Sequence, residues 1–104
     1  MSARLDWTPA ALADLREIWY YIGVRNFNPA AADRLRRDIL NACEELARNP
    51  SMGHARRELT SDPEVLFYRV RDHYLVIYLR GTDPLQIARV LHGARDVKSE
   101  LESE

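Results

Sequence analysis

Apolar residues recur at helical spacing in two stretches of the first half of the chain. Within residues 9–24 and again within 29–48 they fall three or four positions apart, which places them on one face of an α-helix. Each stretch opens with a polar residue followed by proline, Thr8-Pro9 and Asn28-Pro29, the order of an N-cap and first helical position. The two apolar stripes are Leu12, Leu15, Ile18, Trp19 and Ile22, then Leu35, Ile39, Ala42, Cys43 and Leu46. A short linker around Asn26 joins the stretches, so the pattern predicts an antiparallel helix hairpin.

The pattern changes in the second half, where β-branched and aromatic residues dominate. Residues 65–71, 74–80 and 85–92 predict three strands, and residues 3–7 predict a short strand before the helices. Residues 50–64 contain two prolines and a glycine and predict an irregular crossover. The resulting order, β-α-α-β-β-β, is typical of an α+β domain with the helix hairpin packed on a largely antiparallel sheet.

A two-residue turn at Asp72-His73 would fix the pairing of the strands on either side of it. This register divides their side chains between two faces. The face predicted to pack on the helices holds Leu66, Tyr68, Val70, Leu75, Ile77 and Leu79. The opposite face holds Val65, Phe67, Arg69, Arg71, Tyr74, Val76, Tyr78 and Arg80. Arginines among aromatic rings are typical of docking surfaces and of surfaces that stack bases, while a solvated face with mutually shielding cross-strand pairs is the alternative.

Composition and charge narrow the functional classes. The chain has 104 residues, of which 46% are apolar and 30% charged, as in a folded single domain. Its net charge of −1 argues against a strongly basic nucleic-acid binder, and we expect no sequence-specific nucleic-acid binding. The charge is uneven, because residues 96–104 carry −3 and residues 1–95 carry +2. Fourteen of the fifteen basic residues are arginines, whose planar forks suit carboxylates and phosphates.

The cysteine and histidine content predicts a cytoplasmic protein without metal or cofactor. Cys43 is the single cysteine and lies in a predicted apolar stripe, which excludes an internal disulfide and makes it a core residue. His54, His73 and His92 do not have the spacing of metal ligands. We expect neither a signal peptide nor a membrane span, since no apolar run is long enough.

Short segments along nearly the whole chain resemble the ParE toxin family. In the helices these are Asp14-Leu15, Ile18 to Ile22, and Asn28 to Ala32. Further along they are Leu46 to Pro50, Gly53, Arg57 to Leu59, Tyr78, and Arg89 to Asp96. Each segment alone is weak evidence for the family, but the order and spacing of all of them together are fairly specific to it. The resemblance implies a RelE-like fold, with a toxin domain over residues 1–96 and an acidic tail at 97–104 that can form a short helix.

The resemblance implies the toxin of a type II toxin–antitoxin, or plasmid stabilisation, system. Its partner would be a cognate ParD-like antitoxin with a disordered tail of acidic and apolar residues. ParE-like members are associated with poisoning DNA gyrase, and we expect this chain to bind and inhibit gyrase without a catalytic centre. One alternative is a RelE-like ribosome-dependent mRNA endoribonuclease. Another is an inactive relic that only binds its antitoxin.

Candidate binding residues follow from the predicted arginine–aromatic face, the first helix and the resemblance. We expect the antitoxin to contact Trp19, Tyr20, Phe67, Arg69, Arg71, Tyr74, Tyr78 and Arg80. We expect the target to contact Arg69, Arg89, His92 and Arg95.

The ribonuclease alternative requires catalytic side chains in the same region. Arg69 and His92 fall where the RelE-like ribonucleases carry an arginine and a histidine, and Glu58 is a candidate carboxylate. Gly93 stands where some of those relatives carry tyrosine, and Lys98 is the sole lysine. The ribonuclease site therefore looks incomplete, and we expect His92 to be a structural residue.

Overall fold

The elements of the fold follow the predicted order. The computed structural model describes residues 5–71 and 73–92. In chain order the elements are β1 (Leu5–Trp7), α1 (Pro9–Trp19), a π-helical segment (Tyr20–Arg25), α2 (Pro29–Arg48), a 3₁₀ turn (Pro50–Met52), β2 (Val65–Val70), β3 (Tyr74–Leu79) and β4 (Leu85–His92). This confirms the α+β class with two helices and a four-stranded sheet. The acidic tail at 97–104 and Arg95 lie outside the described residues.

Both helices begin at the predicted caps. The hydroxyl of Thr8 accepts a hydrogen bond from the N–H of Ala11 at 3.0 Å, and the side-chain carbonyl of Asn28 accepts one from Ala31 at 3.2 Å. Proline occupies the first position of each helix. The Thr8 hydroxyl also donates to the carbonyl of Ala88 in β4 at 2.8 Å, so the cap ties the start of α1 to the sheet.

The first helix was predicted to remain α-helical to about residue 24, and there the structure differs. Beyond Trp19 the chain widens into a π-helix, in which the N–H of Asn26 donates to the carbonyl of Tyr21, five residues earlier, at 3.0 Å. The apolar spacing did not reveal this change, because Ile22 still packs partly against the core.

The sheet has the strand order β1-β4-β3-β2. β1 runs parallel to β4, while the β4–β3 and β3–β2 pairs are antiparallel. The sheet is therefore mixed but largely antiparallel, as predicted. The second helix, α2, spans the predicted 29–48.

The predicted register of β2 and β3 is wrong by one residue. Val70 pairs with Tyr74, so three residues rather than two connect the strands. Arg71, the first of them, has a φ of +56° in the left-handed region. A slip of one residue moves the side chains of one strand to the opposite face of the sheet. Tyr78 accordingly faces the helices instead of sharing a face with Phe67.

Both faces of the sheet are covered. The main core lies between the helices and the sheet and contains Ala11, Leu15, Leu35, Ile39, Cys43, Leu46, Leu66, Val70, Val76, Tyr78, Leu85, Ile87 and Val90. On the other face Phe67, Leu75 and Ile77 form a smaller cluster with partly buried Leu59, Val65, Ala88 and Leu91. The crossover supplies Leu59 to this second cluster. The predicted arginine–aromatic face is therefore wrong as composed, because its aromatic rings are divided between two covered faces.

A buried ion pair fastens α1 to β4. The carboxylate of Asp14 accepts hydrogen bonds from Nε and Nη2 of Arg89 at 2.8 and 3.0 Å. It also accepts one from the backbone N–H of Val90 at 2.9 Å. β1 pairs with β4 only up to Ile87, so Asp14 supplies a hydrogen-bond acceptor on the β4 edge beyond the end of β1. Bidentate pairs of this kind are stronger than single neutral hydrogen bonds.

Cys43 is buried in the core as predicted, and this has a consequence at alkaline pH. Burial raises the pKa of the Cys43 thiol from 9.0 to about 12, with the charge of Glu44 adding to the effect. Because the thiol ionises more easily in the unfolded chain, its contribution to stability is complete below pH 9 and is lost as the pH rises toward 12.

We predict that Cys43→Ala flattens the alkaline decline in stability. In the wild type this thiol should lower the free energy of unfolding by up to about 1.4 kcal/mol per pH unit between pH 9 and 12. Urea titrations of both proteins at several pH values measure the slope, and the buried tyrosines are common to both. Equal slopes for wild type and variant would contradict the assignment, whatever the variant's stability at neutral pH.

Candidate functional site

The residues predicted to bind partners do not form one surface. Two of them are interior, and three of the arginines are held by carboxylates. Tyr74 and His92 meet where β3 begins and β4 ends, whereas Trp19 ends α1 and Tyr20 begins the π-helical segment. Arg95 is outside the described residues.

The two interior residues are Tyr78 and Phe67, with exposed fractions of 0% and 2%. The Tyr78 hydroxyl accepts a hydrogen bond from the N–H of Gly53 at 2.9 Å and donates one to the carbonyl of Pro50 at 2.5 Å. Phe67 exchanges two backbone hydrogen bonds with His54, at 2.8 and 2.9 Å. Both residues hold the crossover against the sheet, so their predicted exposure as binding anchors is wrong.

The Tyr78 hydroxyl fixes the crossover by close approach as well as by hydrogen bonding. A Cβ atom at Gly53 would lie 2.6 Å from this hydroxyl, so a side chain there would require the structure to shift. Burial raises the pKa of Tyr78, while the hydrogen bond from Gly53 and the charge of Arg80 oppose the rise. The phenol therefore stays protonated and continues to donate to Pro50 at neutral pH.

Three of the predicted arginines are held by carboxylates. Nε of Arg71 lies 2.6 Å from Oδ2 of Asp38, which joins the β2–β3 turn to α2. Nη2 of Arg80 lies 3.2 Å from Oε2 of Glu64 at the other end of the strands. Arg89 binds Asp14 in the interior, so it is not presented to a target. The Arg71 and Arg80 pairs are exposed, and pairs of that kind contribute at most about 1 kcal/mol. A carboxylate on a binding partner can replace either acid at little cost.

Arg69 occupies a different place from the other arginines. It lies near the end of β2, where it pairs with Leu75 of β3, and its side chain is exposed. It shares a sheet face with Phe67, since alternate residues of a strand point the same way.

Histidine and tyrosine rings gather where β3 begins and β4 ends, in what we call the strand-end cluster: Arg71, His73, Tyr74 and His92. Tyr74 and His92 are paired across the strands, with ring centroids 5.2 Å apart and edge-on. The rings of His73 and His92 are nearly parallel, with centroids 6.1 Å apart. Nδ1 of His92 is buried and has no hydrogen-bond partner among residues 5–71 and 73–92. Burial raises the pKa of Tyr74, and the charge of Arg71 opposes the rise.

Glu58, the candidate carboxylate of the ribonuclease alternative, lies on the exposed crossover. Nε of Arg56 donates to its Oε2 at 2.7 Å, and this hydrogen bond lowers the pKa of Glu58. The carboxyl is therefore ionised at neutral pH and unsuited to act as a general acid. Within the described parts of the chain, no group of three or more histidine, cysteine, aspartate or glutamate side chains could hold a metal ion.

Four of the five exposed large apolar residues that the structure describes lie where the two helices meet. We call this region the hairpin tip, and it comprises Tyr20, Tyr21, Val24, Arg25 and Phe27. Its four apolar side chains have exposed fractions of 58%, 55%, 54% and 88% in that order. The guanidinium of Arg25 lies 5.8 Å from the centre of the Tyr21 ring.

Beside the tip, Trp19 is half-buried against the core, and the Arg36 guanidinium lies 5.5 Å from its ring centre. Its indole N–H is buried without a hydrogen-bond partner in the part of the chain that the structure describes. Sequence reasoning identified Trp19 and Tyr20 but missed Tyr21, Val24 and Phe27. The available signal was Phe27 itself, an aromatic residue in a linker otherwise made of asparagines.

Two helices packed on a mixed four-stranded sheet, with surface arginines held by carboxylates, make this a small α+β domain. A family model described as "ParE toxin of type II toxin-antitoxin system, parDE" matches residues 5–97. The chain belongs to this family. It is a type II toxin–antitoxin toxin of the ParE/RelE group.

Relatives and a solved structure agree with this assignment. Toxin ParE1 of Mycobacterium tuberculosis is 32% identical over 108 residues, which cover 97% of this chain and 100% of the relative. Toxin RelE2 of Caulobacter vibrioides is 34% identical over 97 residues, covering 89% and 98%. A chain from a structure titled "Chromosomal ParDE TA system from P. aeruginosa" has a TM-score of 0.64 at 23% identity, covering 85% of this chain and 92% of that one. The last comparison supports the fold alone. No described helix is long and apolar enough to cross a membrane.

The two hydrogen bonds of the Tyr78 hydroxyl predict the effect of removing that hydroxyl on the free energy of unfolding. Tyr78→Phe should lower the free energy of unfolding by about 1–3 kcal/mol, because the Gly53 N–H and the Pro50 carbonyl lose their shared partner. Tyr20→Phe, which removes the same hydroxyl from an exposed ring, should change it by less than about 0.5 kcal/mol. Urea-induced unfolding followed by circular dichroism measures both. Equal losses for the two variants would show that the Tyr78 hydroxyl does not hold the crossover.

Proposed function

We propose that this toxin acts by binding DNA gyrase and blocking it, without making or breaking bonds itself. The observation that carries the proposal is the hairpin tip, whose four large apolar side chains are each more than half exposed beside an arginine. Exposed apolar patches rimmed by charge are typical of protein–protein contact sites.

The state of the candidate catalytic groups supports binding over catalysis. Glu58 is held by Arg56, and the imidazole of His92 packs against both His73 and Tyr74. A general base must reach the proton that it abstracts, and this packing restricts His92. Arg89 contributes indirectly, because its bond to Asp14 positions α1.

The second candidate is a ribosome-dependent mRNA endoribonuclease. The similarity to Toxin RelE2 favours it, as does the strand-end cluster, in which two histidines and Arg71 come together. In that case His92 would be a general acid or base, and its loss would abolish activity. An inactive relic that retains only antitoxin binding is the third possibility.

We further propose a cognate ParD-like antitoxin as the partner in the cell. Its acidic and apolar tail would displace exposed carboxylates such as Asp38 and Glu64 from their arginines and contact Trp19, Tyr20 and Tyr74. Arg69, His92 and Arg95 remain proposed target contacts. Gyrase is a cytoplasmic enzyme, in agreement with the cytoplasmic location expected from the cysteine content.

Purified protein tested in parallel assays separates these functions. We expect it to inhibit gyrase supercoiling and to leave mRNA intact in a translating extract. His92→Ala should retain growth inhibition within about twofold, because His92 is one of three proposed target contacts and supplies no acid or base. The same is expected of the matched variant His73→Ala. Neutralisation should require the product of the neighbouring reading frame.

Two results would contradict the proposal. The first is mRNA cleavage that His92→Ala abolishes while circular dichroism shows an intact fold, which would establish the ribonuclease. The second is the absence of both activities with a tight antitoxin complex retained, which would identify a relic.

A further inference from the structure

Phe27 combines two unfavourable features that the fold does not require. Its side chain is 88% exposed, and it belongs to neither buried cluster. Its backbone φ of +52° lies in the left-handed region, where bulky residues are genuine outliers. The neighbouring asparagines adopt that conformation more easily. A large apolar ring at the one linker position with a left-handed backbone does not stabilise the fold, which indicates that it contacts another molecule.

The backbone around Phe27 has a defined shape. The N–H groups of residues 26, 27 and 28 donate to the carbonyls of Tyr21, Val24 and Ile22 at 3.0, 3.3 and 3.2 Å. The π-helical segment contributes to this arrangement, and such segments are frequent at functional sites. Tyr20, Tyr21, Val24 and Phe27 are all exposed on this segment, and the guanidinium of Arg25 lies over the Tyr21 ring.

The position of the tip also favours contact with a partner. β1 is parallel to β4, and Asp14 bonds Val90, so α1 runs alongside β4 toward His92. A helix rises about 1.5 Å per residue and a strand about 3.3 Å. Ile18 is therefore roughly level with His92, and the tip projects past the end of the sheet.

Charge indicates the chemistry of that partner. Between residues 16 and 37 the chain carries five arginines and two acids, a net charge of +3 in a chain whose total is −1. The arginines are Arg16, Arg25, Arg34, Arg36 and Arg37. Two of their guanidinium groups lie over aromatic rings at or beside the tip. An acidic segment with apolar anchors complements this surface in both charge and hydrophobicity.

We propose that the hairpin tip is the docking site for the acidic, apolar-anchored tail of the antitoxin, an inference that rests on the proposed function. Apolar side chains of the tail cover Phe27, Val24 and Tyr20, while its carboxylates bind Arg25 and Arg36. Burial of Phe27 by the partner then offsets the exposure that the free toxin carries.

Phe27→Asn tests the inference without endangering the fold. Asparagine tolerates the left-handed region, so the melting temperature should stay the same or rise slightly. The affinity for the purified product of the neighbouring reading frame should fall at least tenfold, because anchor rings dominate such interfaces.

Arg25→Glu tests the charge component, with Arg57→Glu on the crossover as its matched control. In 50 mM salt Arg25→Glu should weaken binding at least tenfold, and the loss should shrink at 500 mM because salt screens exposed charges. Arg57→Glu should stay within twofold of the wild type at both concentrations. Titration calorimetry measures all of these affinities.

The outcomes separate this inference from the proposed function. If the wild type is neutralised and Phe27→Asn and Arg25→Glu bind as tightly as Arg57→Glu, the inference is wrong and the proposed function stands. If the variants lose growth inhibition but keep their antitoxin affinity, the tip contacts the target alone and the inference is again wrong. If the wild type neither inhibits growth nor binds that product, the proposed function fails and takes the inference with it.

Discussion

The bond network of Asp14 determines how the two layers of this toxin fit together. Its carboxylate binds Arg89 through two nitrogens and the backbone N–H of Val90, at the edge of β4 just beyond the end of β1. A charge buried in this way is costly unless its partner is present, so α1 is held in one position along the strand. That position directs the end of α1 past the sheet, and the hairpin tip follows from it.

The helices were predictable because their determinants are local. Thr8 and Asn28 cap them as the sequence indicates, and α2 spans the predicted range. The β2–β3 register was not predictable, for two physical reasons. All six residues of β3 are apolar, so alternation could not assign its faces, and the turn depends on Arg71 adopting a left-handed backbone.

The candidate site was predicted only in part, because its determinants are long-range. Nothing near Arg89 in the sequence indicates that Asp14 would bind it from 75 residues away. On the second sheet face, Leu59 of the crossover packs against the cluster that contains Phe67 of β2, and composition does not predict this contact. Trp19 and Tyr20 were identified because α1 has more large apolar residues than one face can bury. Four of the five exposed large apolar residues that the structure describes lie at the hairpin tip, and the proposed binding role rests on them.

Hydrogen exchange in the variant Asp14→Asn tests most directly whether this one carboxylate positions the helix hairpin. Asparagine keeps the size of the side chain but removes the charge that holds Arg89. If the Asp14 carboxylate positions the hairpin, exchange should be faster at the Val90 amide and along α1, while the β2–β3 ladder retains its protection. Unchanged protection at Val90 and in α1 would contradict this role of Asp14, because the hairpin would then be held in place by packing alone.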